Sequence, residues 1–92
     1  MIKSFKHKGL KIFFESGNPL KINPQHQKRI RLILSILNAA KELKDINFPG
    51  SGFHQLKGDL KGFWSVTVSG NWRIIFRFND SEVSDIDYKD YH

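Results

Sequence analysis

The sequence predicts a single α+β domain over residues 1–92, in β-α-α-β-β-β order, with two helices packed on one face of an antiparallel sheet. Three observations predict this fold class. A chain of 92 residues is too short to bury a second core. Apolar residues recur at helical spacing before residue 40. From Gly52 onward they alternate with polar residues, as in strands that bury one face.

The first two elements are predicted as a short strand and a helix. Met1–Lys6 is the strand, and His7–Ser16 is the helix because three of its apolar residues fall at helical spacing, namely Leu10, Phe13 and Phe14. Gly17-Asn18-Pro19 ends the helix, since Gly favours the position after a helix and Pro cannot continue one.

A second helix is predicted to begin at Asn23-Pro24, because Asn caps free backbone amides and Pro fits the first turn. It runs to about Ala40, with one apolar face formed by Ile30, Ile33, Leu34 and Leu37. The composition of Pro49–Gly52 is typical of a loop.

Three strands follow from the alternation of apolar and polar residues. They cover residues 63–68, residues 71–78 and Val83–Tyr88, and turns separate them at Ser69-Gly70 and Asn79-Asp80. The phase of the last strand is less regular than that of the others, because Val83 and Ile86 have opposite parity.

The strand at 71–78 places its polar residues on one face. If Trp72, Ile74, Phe76 and Phe78 pack on the helices, the face left to solvent carries Asn71, Arg73 and Arg77. Arginine suits phosphate because its planar guanidinium can bind two oxygens at once. The alternative is that these arginines only solvate an exposed strand.

The composition narrows the classes of protein that fit. Residues 1–79 carry a net charge of +10 and residues 80–92 a net charge of −4, which favours a polyanionic partner but also fits simple solubility. Without cysteine there is no disulfide, thiol nucleophile or Cys-based zinc site, and the four His show no metal-ligand spacing. No cofactor, metal or membrane span is expected, and the expected location is the cytoplasm.

Five side chains together contain the groups that metal-free RNA cleavage needs: His54, Lys57, Arg73, Asp90 and His92. Such cleavage removes a proton from a 2′-hydroxyl, stabilises an anionic phosphorus centre and protonates the leaving 5′-oxygen. Each residue has a simpler explanation, since a surface His is usually not catalytic and the last residues of a chain are often frayed.

Three segments, MIKSFKHKGL, LKGDLKGFWSVTVSGNWRIIF and YKDYH, resemble the HigB toxins of bacterial toxin–antitoxin pairs, which belong to the RelE superfamily. The resemblance covers the length and the order of elements. It implies a RelE-like fold and a metal-independent endoribonuclease that cleaves mRNA in the ribosomal decoding site and inhibits translation. It also implies that a HigA-type helix-turn-helix antitoxin neutralises a monomeric toxin in an oligomeric complex.

The resemblance also implies roles for individual residues. His54 and His92 are the candidate acid and base, with the assignment between them open. Lys57 and Arg73 would neutralise the scissile phosphate. The residues expected to orient the substrate or take part in proton transfer are Asn71, Asp90 and Tyr91. Arg77 is expected to bind the substrate because of its place on the open face of its strand.

Two other functions remain possible on the sequence. A ParE-like toxin of the same fold would act on DNA gyrase without nuclease activity, but the co-occurrence of His54, Arg73 and His92 argues against it. A basic RNA-binding module would expose aromatic residues for base stacking. Trp64 and Trp72 instead fall on the face predicted to be core.

Overall fold

The computed structural model describes residues 1–90. Two helices, α1 (Lys8–Ser16) and α2 (Gln27–Ala39), precede four strands, which are β1 (His54–Gln55), β2 (Trp64–Ser69), β3 (Trp72–Asn79) and β4 (Glu82–Asp90). The strands form one antiparallel sheet in the order β1-β2-β3-β4. The predicted order of two helices followed by antiparallel strands is therefore confirmed. None of the helices within residues 1–90 is long and apolar enough to cross a membrane.

Local capping explains where the helices begin and end. The His7 side chain accepts a hydrogen bond from the backbone N–H of Leu10 at 3.1 Å. Gly17 ends α1 with φ at +79°, a conformation that glycine adopts without strain, and its N–H donates to Phe13. Asn23 caps the Gln25 amide at 2.9 Å, but the first turn, Pro24–His26, is a 3-10 turn. The α-helix therefore starts slightly later than the sequence predicted.

The core lies between the helices and one face of the sheet. The predicted inward face of β3 is confirmed, since Ile74 and Phe76 are fully buried while Trp72 and Phe78 pack against the core from its edge. The helices contribute a continuous apolar surface, which comprises Leu10, Phe13, Ile30, Ile33, Leu34 and Leu37. Because β3 alternates, Arg73 and Arg77 point away from the helices.

A β-bulge explains the irregular phase of the last strand. Arg77 pairs with Ser84 and Ile75 with Asp87, so β4 has one more residue than β3 between these pairs. Asp85 accommodates the bulge with a positive φ of 53°. The shift of one residue lets Val83 and Ile86 both enter the core despite their opposite parity.

The opening strand predicted over Met1–Lys6 is present only as two isolated parallel bridges, Ile2 with Val83 and Phe5 with Ile86. Between the bridges, the backbone N–H of Asp85 donates a hydrogen bond to the Ser4 hydroxyl at 2.9 Å and not to a backbone carbonyl. The bulge in β4 thus interrupts the ladder and prevents a continuous strand.

The face of the sheet turned away from the helices is called the outer face below. The sequence predicted that the outer face is open to solvent, and this prediction is wrong for the centre of that face. Residues 56–63 fold back over it through a 3-10 turn, Gly58–Leu60, and Leu56 N–H donates to the Phe63 carbonyl at 2.9 Å. They enclose a second small apolar cluster, which consists of Leu56, Leu60, Phe63 and Ile75. Ile75 explains the cover, because an apolar residue at an outward position needs burial.

Candidate functional site

One row of side chains crosses the outer face at the end next to the β2–β3 turn. Arg73 in β3 pairs with Thr67 in β2 on one side and with Lys89 in β4 on the other. Side chains of directly paired residues lie on the same face of a sheet. This part of the outer face lies beyond the apolar cluster and carries two positive charges side by side.

The guanidinium of Arg73 retains the capacity to bind an anion. Its Nη1 donates to Thr67 Oγ1, while its Nε is buried and has no hydrogen-bond partner within residues 1–90. A guanidinium has five N–H donors in a planar fork. Because Nε is covered, a phosphate oxygen would reach the guanidinium at its other N–H groups, whose planar arrangement can bind two oxygens at once.

The loop before β1 covers the same corner and is fixed from the helix side. Arg29 of α2 donates to the carbonyl of Gly50 at 2.8 Å and to that of Thr67 at 3.1 Å. Gly52 has φ at +57°, and a Cβ there would collide with the Thr67 hydroxyl and lie 3.9 Å from Arg73 Nη1. Glycine therefore lets the loop backbone approach Thr67 and Arg73 closely.

His54 lies on the neighbouring row. It is exposed and pairs with Ser65, two residues before Thr67 in β2. Its Nδ1 lies 2.9 Å from the Gly52 carbonyl oxygen. Because a carbonyl can only accept, Nδ1 carries the hydrogen, and Nε2 is the nitrogen that can accept a proton. From the spacing of strands and residues, the His54 and Arg73 backbones lie about 10 Å apart across the sheet and about 7 Å apart along it. Both side chains can therefore reach the same phosphodiester.

A cleft beside Arg73 brings two lysines together. Lys57, at the start of the 3-10 turn, and Lys89, in β4, line it with Asp59 and Leu60. Sequence reasoning selected Lys57 but missed Lys89, which is the cross-strand partner of Arg73. The signal was present, because an inward Tyr88 implies an outward Lys89. Thr67 was also missed, since nothing in a lone threonine marks it as the partner of an arginine.

The other substrate-binding candidates lie elsewhere. Arg77 is four residues from Arg73, which is about 13 Å along a strand. Its Nε lies 3.5 Å from Asp85 Oδ2, and its guanidinium carbon lies 4.3 Å from the centre of the Phe63 ring. These contacts hold the bulge and the cover of the outer face together. Asn71 is exposed in the turn that precedes β3.

The C-terminal candidates are only partly described. Asp90 is the last described residue of β4 and pairs with Trp72. Strand alternation makes Lys89 the outward residue beside Arg73, and the role predicted for Asp90 stays a prediction. Tyr91 and His92 lie outside the described residues. Within residues 1–90, no three His, Cys, Asp or Glu side chains lie close enough to hold a metal ion.

Solved structures of bacterial proteins share this fold. The structure of a YoeB–YefM complex from Staphylococcus aureus matches with a TM-score of 0.58 and 18% identity, over 97% of this chain and 95% of that one. YafQ from Escherichia coli matches with a TM-score of 0.54 and 18% identity, over 96% of this chain and 89% of that one. At these identities the likeness concerns the fold alone.

Relatives in sequence are more specific. The chain is 45% identical to Endoribonuclease HigB of Proteus vulgaris over 92 residues, which is the full length of both proteins. It is 34% identical to Toxin HigB-1 of Vibrio cholerae over 82 residues, covering 87% of this chain and 86% of that protein. The model of the HigB-like toxin family, described as the RelE-like toxin HigB of a type II toxin–antitoxin system, matches residues 3–92. This chain belongs to the HigB-like family of RelE-like toxins of type II toxin–antitoxin systems.

Proposed function

We propose that this toxin is an endoribonuclease that cleaves mRNA bound in the decoding site of the ribosome and thereby inhibits translation. The full-length similarity to an endoribonuclease supports the reaction. The observation that carries the proposal is the placement of the Arg73 guanidinium beside Lys89 on the outer face, with His54 one row away. Anion binding and proton transfer can therefore meet at one phosphodiester.

In the proposed mechanism, a base removes the proton from the 2′-hydroxyl and the resulting oxyanion attacks the adjacent phosphorus. His54 is a candidate for this transfer through Nε2, and Asp90, Tyr91 and His92 supply the remaining candidates for base and acid. Arg73 and Lys57 neutralise the charge that develops on the phosphate oxygens, and Lys89 adds a third positive charge. A protonated group then donates to the departing 5′-oxygen. The reaction uses no metal or cofactor.

The shape of this site supports the proposed dependence on the ribosome. His54 is exposed, and the lysines line an open cleft, so the described residues offer few contacts that would orient a flexible RNA. In-line attack requires the 2′-oxygen, the phosphorus and the 5′-oxygen to be aligned, and correct orientation contributes several kcal/mol to such reactions. The decoding site would supply this alignment.

The test is cleavage mapping in a purified translation system. One mRNA is incubated with the toxin in the presence and in the absence of ribosomes, and the new 5′ ends are mapped by primer extension. We expect efficient cleavage only on ribosomes, and loss of it in the variant Arg73→Ala. Equal cleavage of free RNA would show that the protein aligns its own substrate, and no cleavage in either sample would reject the endoribonuclease proposal.

The family implies a second partner. We propose a HigA-type helix-turn-helix antitoxin that binds the monomeric toxin in an oligomeric complex, with both proteins in the cytoplasm, where ribosomes are found. Co-expression of the toxin with its neighbouring gene, followed by purification and light scattering, measures the stoichiometry. A toxin that dimerises without antitoxin would contradict the monomer.

A further inference from the structure

On the helix side of the sheet, the ends of the strands that carry the candidate site pack on a partly buried cluster of rings, called the ring cluster below. The cluster consists of Tyr88 in β4, Trp72 at the start of β3, His26 in the turn before α2, and His7, which caps α1. The ring centres of Trp72 and Tyr88 are 4.7 Å apart, those of His26 and Trp72 are 5.6 Å apart, and those of His7 and Tyr88 are 5.5 Å apart. Four separate elements therefore meet at Tyr88.

A short hydrogen bond lies at the centre of this ring cluster. His26 Nδ1 and Tyr88 Oη are 2.5 Å apart, and both residues are buried, with 5% and 8% of their surface exposed. Burial raises the pKa of Tyr88, and a hydrogen bond with the Asn23 backbone opposes that shift. The phenol therefore keeps its proton at neutral pH. A protonated phenol can donate to Nδ1, and in that arrangement the hydrogen of the His26 ring lies on Nε2.

The ring cluster lies directly behind the candidate site. Trp72 precedes Arg73 in β3, and Tyr88 precedes Lys89 in β4. The two strands pair Trp72 with Asp90 and Arg73 with Lys89. Because adjacent residues of a strand point to opposite faces, fixing Trp72 and Tyr88 on the helix side fixes the backbone from which Arg73 and Lys89 extend on the other.

A purely apolar core does not need this pair. Two apolar residues of similar shape would fill the same space, and replacing both partners of a buried hydrogen bond in this way is often nearly neutral for stability. A directional bond adds a fixed orientation of both rings. The polar pair therefore points to a requirement for geometry rather than for burial alone.

We propose that His26 and Tyr88 are positioning residues for RNA cleavage, whose hydrogen bond fixes the ends of β3 and β4 so that Arg73, Lys89 and Asp90 keep their relative placement. The inference rests on the proposed function, because it assigns a role in that reaction. Both side chains are buried on the helix side, so they act through the strands and not by contact with RNA.

The kinetic test compares Tyr88→Phe with Val83→Ala, measuring kcat and KM on ribosomes below the melting temperature of either variant. Tyr88→Phe keeps the ring and removes the hydrogen bond, whereas Val83→Ala opens the same core at the other end of β4. We expect Tyr88→Phe to lower kcat about 10- to 100-fold with little change in KM, since small misplacements of reacting groups have effects of this size. Val83→Ala should lower the melting temperature and leave kcat unchanged. Equal losses of kcat in both would show a merely structural role.

A second pair of variants tests the His26 side of the bond. His26→Asn places an amide oxygen about where Nδ1 lies and should retain most of kcat, whereas His26→Leu removes the acceptor and should behave like Tyr88→Phe. Loss of kcat in the leucine variant without recovery in the asparagine variant would contradict a requirement for the acceptor.

A readout independent of activity separates this inference from the proposed function. Amide hydrogen exchange by NMR should show faster exchange at Arg73 and Lys89 in Tyr88→Phe but not in Val83→Ala, and ¹⁵N shifts should show an unprotonated His26 Nδ1 in the wild type. Unchanged exchange, or faster exchange with wild-type cleavage, would overturn the positioning role. A wild-type protein that does not cleave mRNA but shows the expected exchange would instead overturn the proposed function.

Discussion

At the scale of single residues, Arg73 depends on its neighbours for its orientation. Its Nη1 is held by the Thr67 hydroxyl, and the Gly52 backbone lies against both side chains. A long flexible cation loses rotamer entropy when it binds a phosphate. A guanidinium already held at one end loses less of it, so Thr67 contributes to binding before any RNA arrives.

We expect Arg73→Ala to reduce ribosomal cleavage about 10²- to 10³-fold, which is the usual effect of removing one group that stabilises charge in a transition state. Thr67→Val, which keeps the shape and removes the hydroxyl, should lower kcat about tenfold by loss of orientation. Thr67→Ser retains the hydroxyl and should restore most of it. Single-turnover cleavage on ribosomes measures all three. Equal activity of the valine and serine variants would exclude the hydroxyl as the orienting group.

His92, which lies outside the described residues, carries the second residue-scale prediction. If its imidazole transfers a proton, removal of His92 should reduce cleavage roughly 10²- to 10⁴-fold. Folding and antitoxin binding should be nearly unaffected, since the core described within residues 1–90 forms without His92. Arg77→Ala is the comparison, and we expect it to be milder because Arg77 contacts Asp85 and Phe63. A normal rate without His92 would assign proton transfer to His54, Asp90 or Tyr91.

Alternation along a strand was the main basis for predicting which face of the sheet each side chain lies on. It placed Arg73 opposite the core because four apolar residues in β3 fixed the phase. It could not place Asp90, because the phase of β4 changes at a bulge that composition alone does not mark. The partnership of Arg73 with Thr67 depends on the register between two strands, which a single strand does not encode.

At the scale of elements, the bulge at Asp85 determines which side chains of β4 enter the core and which lie on the outer face. Val83, before it, and Ile86, after it, are both fully buried, and Ser84 faces Arg77 on the outer side. The positive φ of Asp85 is unusual for a residue with a side chain, although aspartate tolerates it better than most. The same bulge limits the N-terminal segment to two bridges, so one residue determines the pairing on both edges of β4.

Deletion of Asp85 should destabilise the fold. Without the extra residue, either Val83 or Ile86 must leave the core, and burial of such a side chain contributes about 1.5–3 kcal/mol. Urea denaturation followed by circular dichroism measures the free energy of unfolding. Asp85→Gly is the control, since it keeps the residue count and relieves the backbone strain, and it should lose much less. Equal destabilisation of the two variants would attribute the loss to the Asp85–Arg77 ion pair.

The 3-10 turn Leu43–Asp45, which follows α2, gives a prediction about pH. Asp45 accepts hydrogen bonds from the backbone N–H groups of Lys41 and Glu42, both at 3.0 Å, and these bonds lower its pKa. A carboxyl whose pKa is lower in the folded state stabilises the fold above its unfolded pKa of 3.8. That contribution is lost as the pH falls through the folded pKa.

Asp45→Asn should therefore lower the melting temperature at neutral pH, and its difference from the wild type should vanish in acid. Thermal unfolding between neutral and acidic pH measures this difference. Glu15→Gln, which also removes one exposed negative charge, is the control for net charge. A difference that stays constant with pH would show that the Asp45 charge does not stabilise the turn.

At the scale of the whole molecule, both the helices and the outer face of the sheet carry positive charge. The chain carries 15 Lys and Arg against 9 Asp and Glu, and basic residues lie on both sides. Lys8 and Lys11 are exposed on α1, whereas Lys57 and Lys89 line the cleft beside Arg73. Composition predicted a polyanionic partner but could not indicate which side it contacts, since the position of a charge depends on the fold.

Salt dependence distinguishes the two sides. For single-stranded RNA, each phosphate neutralised contributes about 0.7 to the slope of log affinity against log salt concentration. If RNA lies across the outer face, the double variant Lys57→Gln/Lys89→Gln should reduce that slope by about 1.4. Lys8→Gln/Lys11→Gln removes the same net charge from the helix side and should leave the slope unchanged. Fluorescence anisotropy with a labelled mRNA fragment at several salt concentrations measures both. Equal reductions would mean that RNA responds to the net charge of the molecule, and a larger effect on the α1 side would move the RNA-binding surface to the helices.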